Sequence, residues 1–445
     1  MQEQNISTET ILAGLKIESL NEMQVSAIDA CIENNHVQII SPTGSGKTLA
    51  FLLPLAQLLK PDVKNVQALI LVPSRELALQ IDEVFRKMAT GYKVTCCYGG
   101  HKREIEEKNL VQAPAVIIGT AGRIADHLRR NNFSTELITT LILDEFDKSL
   151  ELGFLEEMTF IVKSLTSVNK KILTSATEAA SIPDFIGFDN PVQLNFTNTT
   201  LIDKDVYDEL VIIELKSDLR EKFDIFFRFI CHINNKSAIV FCNHRDTVEQ
   251  ASNYLKEQGI VNVFYHGGME QQERESALAK FKNGSSSILI TTDLASRGLD
   301  IPDIKYVVHY DLPPTQAIYT HRNGRTARME AGGKVVLIVG KGEYRPTYIN
   351  NEVTDLILPE ETELPEKPKW STLFIAAGKK DKVNKIDIVG FLSKIGQLKQ
   401  EEIGLIEVKD FFSFVAVRKL KVGAAMELIK NEKIKGKKVK IDLAK

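Results

Sequence analysis

Short runs of almost unbroken apolar, β-favouring residues limit what this chain can fold into. Before residue 200 they are Val37-Gln-Ile-Ile40, Ala68-Leu-Ile-Leu-Val72, Ala115-Val-Ile-Ile118, Leu141-Ile-Leu143 and Lys171-Ile-Leu-Thr174. Between residues 205 and 340 the pattern returns in Ser237-Ala-Ile-Val-Phe241, Ile288-Leu-Ile290, Tyr306-Val-Val-His309 and Val335-Val-Leu-Ile-Val339. A strand with one wet face alternates polar and apolar residues, and these runs do not. They are therefore expected to be strands covered on both faces, in parallel sheets with helices as crossovers. A chain of 445 residues is also too long for one hydrophobic core. The expectation is an α/β protein with two successive parallel-sheet units of similar size.

The chemistry sits where such strands end. Ser41-Pro-Thr-Gly-Ser-Gly-Lys-Thr48 follows the first run and precedes a helical stretch from Leu49. A glycine-rich turn there aims backbone N–H groups and a helix N-terminus at one spot, which suits phosphate. Ser41, Pro42, Thr43, Gly44, Ser45 and Gly46 form the expected cradle. Lys47 would reach the β- and γ-phosphates and Thr48 a Mg²⁺ ion. Leu141-Ile-Leu-Asp-Glu-Phe-Asp147 ends an apolar strand in carboxylates, which are costly to bury without an ion or partner. Asp144 is assigned to Mg²⁺, and Glu145 to orienting or deprotonating the attacking water. The later His321-Arg-Asn-Gly-Arg-Thr-Ala-Arg328 supplies arginines of the kind that stabilise a transferring phosphoryl group.

With these motifs the sequence resembles the DEAD-box family of RNA-dependent ATPases, over about residues 10 to 345. Asp144-Glu-Phe-Asp147 stands where the family has Asp-Glu-Ala-Asp, and Pro73-Ser-Arg-Glu-Leu-Ala78 looks like its Pro-Thr-Arg-Glu-Leu-Ala. Tyr98-Gly-Gly100, Thr120-Ala-Gly-Arg123, Ser175-Ala-Thr177, His266-Gly-Gly-Met-Glu-Gln-Gln-Glu-Arg274 and Thr292-Asp-Leu-Ala-Ser-Arg-Gly-Leu-Asp300 follow in family order. The chain departs from the pattern at several places: Ser41 opens the loop where Gly or Ala is usual, and Asn323 and Ala327 alter the arginine motif without touching its charged positions. No Pro-Thr precedes Gln24, no aromatic residue occurs before Phe51, and Phe146 replaces a small alanine.

The resemblance implies two RecA-like domains, 1–203 and 204–345, that bind ATP and single-stranded RNA. It assigns adenine to Gln24, the ribose to Asp300, and the γ-phosphate to Arg325 and Arg328. It also assigns the RNA backbone to Pro73, Arg75, Gly100, Thr120, Arg123 and Thr292. Contacts of this sort position a strand without reading its sequence.

Charge divides the chain. Residues 366–445 carry 19 lysines and arginines against 10 acidic residues, whereas the rest carries 37 against 49. A basic segment on an acidic body suits a polyanion. It follows a proline-rich, charged stretch, taken as a linker over 346–369. Its strand-helix-strand-strand-helix-strand pattern is that of a small α+β unit related to RNA-recognition motifs. Residues 370–445 resemble the RNA-binding tail of the bacterial DbpA proteins. Carriers of that tail act on large-subunit ribosomal RNA in pre-ribosomal particles. Lys379, Lys380, Lys382, Lys435, Lys437 and Lys438 are the expected phosphate-contacting surface. Phe374, Phe412 and Phe414 are candidates either for base stacking or for a small core.

Five cysteines without metal-ligand spacing, a polar N-terminus and no long apolar run suit a monomeric cytoplasmic protein with reduced thiols and no membrane association. The expected activity is that of an ATP- and Mg²⁺-dependent RNA helicase acting on structured RNA, with large-subunit rRNA as the target. A general RNA chaperone acting in the cold and an ATP-gated RNA clamp keep the same chemistry and stay open at this stage.

Overall fold

In a computed structural model, the described residues are 7–42, 44–176, 182–197, 211–216, 222–295, 304–325, 333–340, 342–349, 353–359 and 361–444. They fall into two compact units, one ending near Tyr207 and the other holding most of the remainder.

In the first unit, helices α1 (Thr8–Leu15) and α2 (Glu22–Glu33) precede β1 (His36–Ile40), α3 (Lys47–Leu58), β2 (Ala68–Val72) and α4 (Arg75–Lys87). Then follow β3 (Val94–Cys97), α5 (Arg103–Leu110), β4 (Val116–Thr120), α6 (Ala121–Arg129) and β5 (Thr140–Leu143). The unit closes with α7 (Phe146–Glu151), α8 (Leu155–Ser164), β6 (Lys170–Ser175) and β7 (Val192–Asn195). The strands form one sheet in the order β3-β4-β2-β5-β6-β1-β7, and every pairing is parallel. Its two faces carry separate apolar clusters, one around Ile39, Ile70 and Phe51 and one around Leu69, Leu141 and Phe146. Both faces of β2 and β5 are buried, as the unbroken apolar runs require.

The second unit repeats the plan with β8 (Val211–Lys216), β9 (Ala238–Phe241), β10 (Val263–Tyr265), β11 (Ile288–Thr291), β12 (Tyr306–His309), β13 (Lys334–Val339) and β14 (Val353–Asp355). The order is β10-β11-β9-β12-β13-β8-β14, again all parallel. β14 lies inside the stretch expected to be linker. Leu356 and Leu358 beyond it pack on the apolar cluster of this sheet, and the Glu366 N–H donates to Asn234 Oδ1 at 3.0 Å. The stretch is therefore laid down along the second sheet rather than hanging as a tether.

The basic tail folds as β15 (Trp370–Ile375), the helix Lys385–Lys394, β16 (Ile403–Val408), β17 (Ser413–Arg418), the helix Lys419–Ile429 and the short strands β18 (Lys433–Ile434), β19 (Lys437–Lys438) and β20 (Ile441–Leu443). The main sheet, β16-β17-β15-β20, is antiparallel. Alternation puts Leu373, Ile375, Val415 and Val417 against Ile388, Leu392 and Ile429 of the helices. The opposite face holds Thr372, Phe374, Phe414 and Ala416. It meets the end of the helix Gln271–Lys282: Thr372 Oγ1 lies 2.8 Å from Asn283 Nδ2 and 2.9 Å from Ser285 Oγ.

Candidate active site and nucleic-acid interface

In a parallel sheet the loops after the strands gather along one edge, and that edge is where such folds bind ligands. The first unit places its motifs there. β5, β6 and β1 are neighbours and carry Asp144-Glu145, Ser175 and the Ser41–Thr48 loop. β3, β4 and β2 are neighbours and carry Gly100, Thr120-Arg123 and Pro73-Arg75. The strand order separates the edge into two groups of motifs, the candidate nucleotide half and the candidate RNA half.

The nucleotide half is braced on several sides. Ser41 N–H donates to Ser175 O at 3.1 Å, fixing the loop's start to β6. Gly44 and Gly46 both have φ of 91°, backbone that favours glycine. A Cβ on Gly46 would come within 2.3 Å of Gln24 Nε2. Gln24 sits in a capping box with Asn21 at the start of α2, and its Nε2 donates to Gly46 O at 3.2 Å, while Asn21 Nδ2 donates to Ser45 O at 2.9 Å. Gln24 thus braces the phosphate loop. Its amide keeps one further donor and one further acceptor position for a base. Ser41 Oγ and Ser45 Oγ are buried without a hydrogen-bond partner among the described residues, as a loop built to hold another polar group requires. Lys47 opens α3, with its Nζ donating to Ser41 O and, at 2.8 Å, to Pro42 O; Thr48 follows it, half-buried.

Asp144 is almost fully buried. Burial pushes its pKa above the ordinary carboxylate value, while the Thr174 hydroxyl and the Lys47 charge pull it back. A divalent cation would favour its charged form, so the donor set fits Mg²⁺. The Glu145 N–H donates to Thr174 Oγ1 at 3.2 Å, and Glu145 has a left-handed φ of 48°. A non-glycine residue held this way is strained by roughly 1–3 kcal/mol and must be held by its surroundings. Phe146 turns away from the carboxylates into the core around Leu141 and Met158.

In the RNA half, Pro73 is buried at the end of β2, and Ser74 caps α4 by accepting from Leu77 N–H at 3.2 Å. The Arg75 guanidinium lies 4.5 Å from the centre of the Tyr98 ring. Gly100, at φ 92°, lets the same group approach, since a Cβ there would fall 2.9 Å from Arg75 Nη1. Arg123 donates to Glu106 Oε2 at 2.8 Å and to His101 O at 3.2 Å. Sequence reasoning missed Glu106. Its signal was a glutamate four residues before the buried Leu110, on the inward face of α5. Cys97, Glu106 and His127 are close enough to hold a metal ion. Both oxygens of Glu106 are already taken by N–H donors, however, and Arg123 supplies the positive charge. The cluster is a hydrogen-bonded network.

In the second unit Arg322 is wholly buried at the end of the helix Gln316–Asn323. It donates to Asp293 at 2.6 and 3.1 Å, to Asn243 Oδ1 at 2.8 Å and to Asp311 O at 3.0 Å. His309 Nε2 lies 2.9 Å from Asn323 Oδ1, an acceptor, so that nitrogen carries the proton. Burial, with the Arg322 charge, lowers the His309 pKa to about 3. Above pH 6.5 neither the folded nor the unfolded state protonates this ring, and it contributes no pH dependence. As pH falls below 6.5 the unfolded chain takes up a proton that the folded chain refuses, until about pH 3. Stability should therefore drop by about 1.4 kcal/mol per pH unit on this account. Urea unfolding at pH 7, 6 and 5 should show a shallower loss in His309→Asn; equal slopes would refute the assignment. Arg325 is buried and Thr292 half-buried near this network. Thr43, Asp300 and Arg328 lie outside the described residues.

In the tail the six lysines are exposed and come from two adjoining loops. Lys435 Nζ donates to Lys382 O at 2.7 Å and pairs with Asp387 at 2.9 Å, and Lys437 pairs with Asp381 at 3.3 Å. The rings of Phe374, Phe412 and Phe414 pack on one another at 5.4–5.8 Å, with Phe414 buried.

The DEAD/DEAH box helicase description matches residues 21–185, the helicase conserved C-terminal domain residues 221–330, and the DbpA RNA binding domain residues 372–443. The ATP-dependent RNA helicase DbpA of Bacillus subtilis is 30% identical, over 97% of this chain and 96% of its own. This chain belongs to the DEAD-box RNA helicases of the DbpA type. The DbpA helicase of Escherichia coli is likewise 30% identical, over 99% of both chains. Among solved structures, Saccharomyces cerevisiae Dbp5 bound to RNA and ADP BeF3 superposes with a TM-score of 0.68 at 27% identity, covering 79% of this chain and 94% of Dbp5. As a DEAD-box helicase the chain is an ATP-binding, RNA-dependent ATPase with two RecA-like domains and an RNA-binding tail. Among the described residues, no helix is long and apolar enough to cross a membrane.

Proposed function

We propose that this DEAD-box helicase remodels structured RNA of the large ribosomal subunit during its assembly, working as a cytoplasmic monomer with ATP and Mg²⁺. In this reading Gln24 meets the adenine, the 41–46 loop and Lys47 hold the phosphates, and Thr48 and Asp144 hold Mg²⁺. The ion supplies charge neutralisation at the phosphates when bound. Glu145 orients the attacking water. Arg325 and Arg328 answer the γ-phosphate, and Asp300 the ribose. Pro73, Arg75, Gly100, Thr120, Arg123 and Thr292 track the RNA backbone.

The observation that carries the choice of RNA is the tail's exposed lysine surface, assembled from two loops tied together by Lys435 and Lys437. A preassembled cationic surface suits a folded RNA with a fixed phosphate pattern better than a flexible strand. The test is steady-state ATP hydrolysis with no RNA, bulk RNA, single-stranded DNA and a large-subunit rRNA hairpin fragment. The hairpin should saturate stimulation at a concentration at least about tenfold lower than bulk RNA. Equal stimulation by every RNA would leave an RNA-dependent ATPase whose tail is a nonspecific tether.

A further inference from the structure

Glu106 is buried to 1% exposure in α5, outside every motif named above. Four donors converge on its carboxylate. Oε1 accepts from Tyr98 N–H at 2.8 Å and faces His101 Nε2 at 3.1 Å. Oε2 accepts from Arg123 Nη1 at 2.8 Å and faces His127 Nε2 at 2.8 Å. Asn132 Nδ2, which can only donate, lies 2.8 Å from His127 Nδ1. The ring therefore accepts at Nδ1 and donates to Glu106 from Nε2. Burial alone would raise the pKa of Glu106, but the bonds from His101, His127 and Tyr98 and the charge of Arg123 hold it at about 2.

These donors belong to two different loops. Tyr98 and His101 flank Gly99-Gly100 after β3, and Tyr98 is the ring on which Arg75 stacks. Arg123 and His127 lie on α6, directly after Thr120. We infer that Glu106 is a positioning residue that locks the glycine loop, Arg75 and Arg123 into one preformed surface for the phosphates of an RNA strand. This rests on the reading of those three residues as RNA contacts.

Only a carboxylate fits. It is acceptor-only and offers lone pairs on both oxygens, whereas an amide has one oxygen and one NH₂. In Glu106→Gln that NH₂ must face either Arg123 or the Tyr98 N–H, so one loop is released whichever way the amide turns. Glu106 itself touches no phosphate. Its effect should appear as RNA affinity, with nucleotide chemistry untouched.

The experiment uses the full-length protein and a single-stranded RNA, and measures ATPase rate against RNA concentration, fluorescent ADP affinity and Tm. Glu106→Gln should raise the half-saturating RNA concentration about tenfold, the equivalent of one charge-assisted hydrogen bond to a phosphate. The rate at saturating RNA and the ADP affinity should stay unchanged. The slope of log affinity against log salt should shrink by about 0.7, as when one phosphate fewer is neutralised on a single strand. Looser packing alone would not move that slope. Arg123→Ala should likewise raise the half-saturating RNA concentration and lower the salt slope, and the double variant should bind RNA no worse than the weaker-binding single one.

If Arg123→Ala weakens RNA and Glu106→Gln matches wild type, the positioning role is wrong and the RNA surface stands. If neither Arg75→Ala nor Arg123→Ala changes RNA affinity, the RNA-surface reading itself falls and takes this inference with it. Should Glu106→Gln lose its fold, His101→Ala removes one of the two glycine-loop contacts to Glu106 and leaves the Tyr98 N–H bond in place. It should still raise the half-saturating concentration at least about threefold; a wild-type curve would overturn the proposal.

Discussion

Glu145→Gln is expected to lower RNA-stimulated ATP turnover by about 10²–10⁴-fold while ATP and RNA still bind. The substitution keeps size and shape and removes only the ability to orient and deprotonate water. In the proposed site the nucleotide is held elsewhere, by the loop braced by Gln24 and Asn21 and by Lys47. The backbone of Glu145 is fixed by its N–H bond to Thr174 and by a left-handed φ, so the amide should sit where the carboxylate sat. Turnover at saturating ATP and RNA, with a filter-binding measurement on the same protein, checks this. Lys47→Ala is the contrasting control, since it should weaken nucleotide binding itself. Wild-type turnover in Glu145→Gln would remove this residue from the chemistry.

The second large effect is expected in the tail. Changing Lys379, Lys380 and Lys438 to alanine should weaken binding of the rRNA hairpin by about 10²-fold or more at moderate salt. The salt slope should fall by roughly 2, as for three phosphate contacts. These three are exposed and make no ion pair among the described residues, whereas Lys435 and Lys437 hold Asp387 and Asp381. Lys382 is better left in place, because its backbone is left-handed and its carbonyl accepts from Lys435. Substitution is also cleaner than truncating the chain after Glu366, which would uncover Asn283 and Ser285 along with removing the lysines. Basal hydrolysis should not change. Hairpin stimulation at the wild-type concentration would show that another surface carries the RNA.

The sequence was legible where one short-range rule decided the outcome. Unbroken apolar runs located β2, β5, β9 and β12, because a strand buried on both faces has no polar positions to hide it. Five strands of the two parallel sheets escaped. β3, β7 and β10 lie at sheet edges and are short, β8 breaks its apolar run with Glu214 and Lys216, and β14 sits in a proline-rich stretch whose composition suggested a linker. The candidate phosphate loop could be proposed from sequence because such a loop needs its glycines and lysine in fixed local order. Glu106 could not, since its partners come from the glycine loop after β3 and from α6, and only the folded sheet edge brings them together. The tail aromatics show the same limit. Their spacing on β15 and β17 was legible, but the packing of Phe374, Phe412 and Phe414 on one another depends on strand pairing.

The contact between Thr372 and the Asn283–Ser285 turn bears on how such proteins can be recombined. A tail attached through its linker alone would be leashed, free to sample many orientations. Here the linker lies along the second sheet, and the tail's β-sheet is seated on that turn. Grafting residues 370–445 onto another helicase core would therefore transfer a binding module without its aim. Moving the turn together with the tail would transfer both.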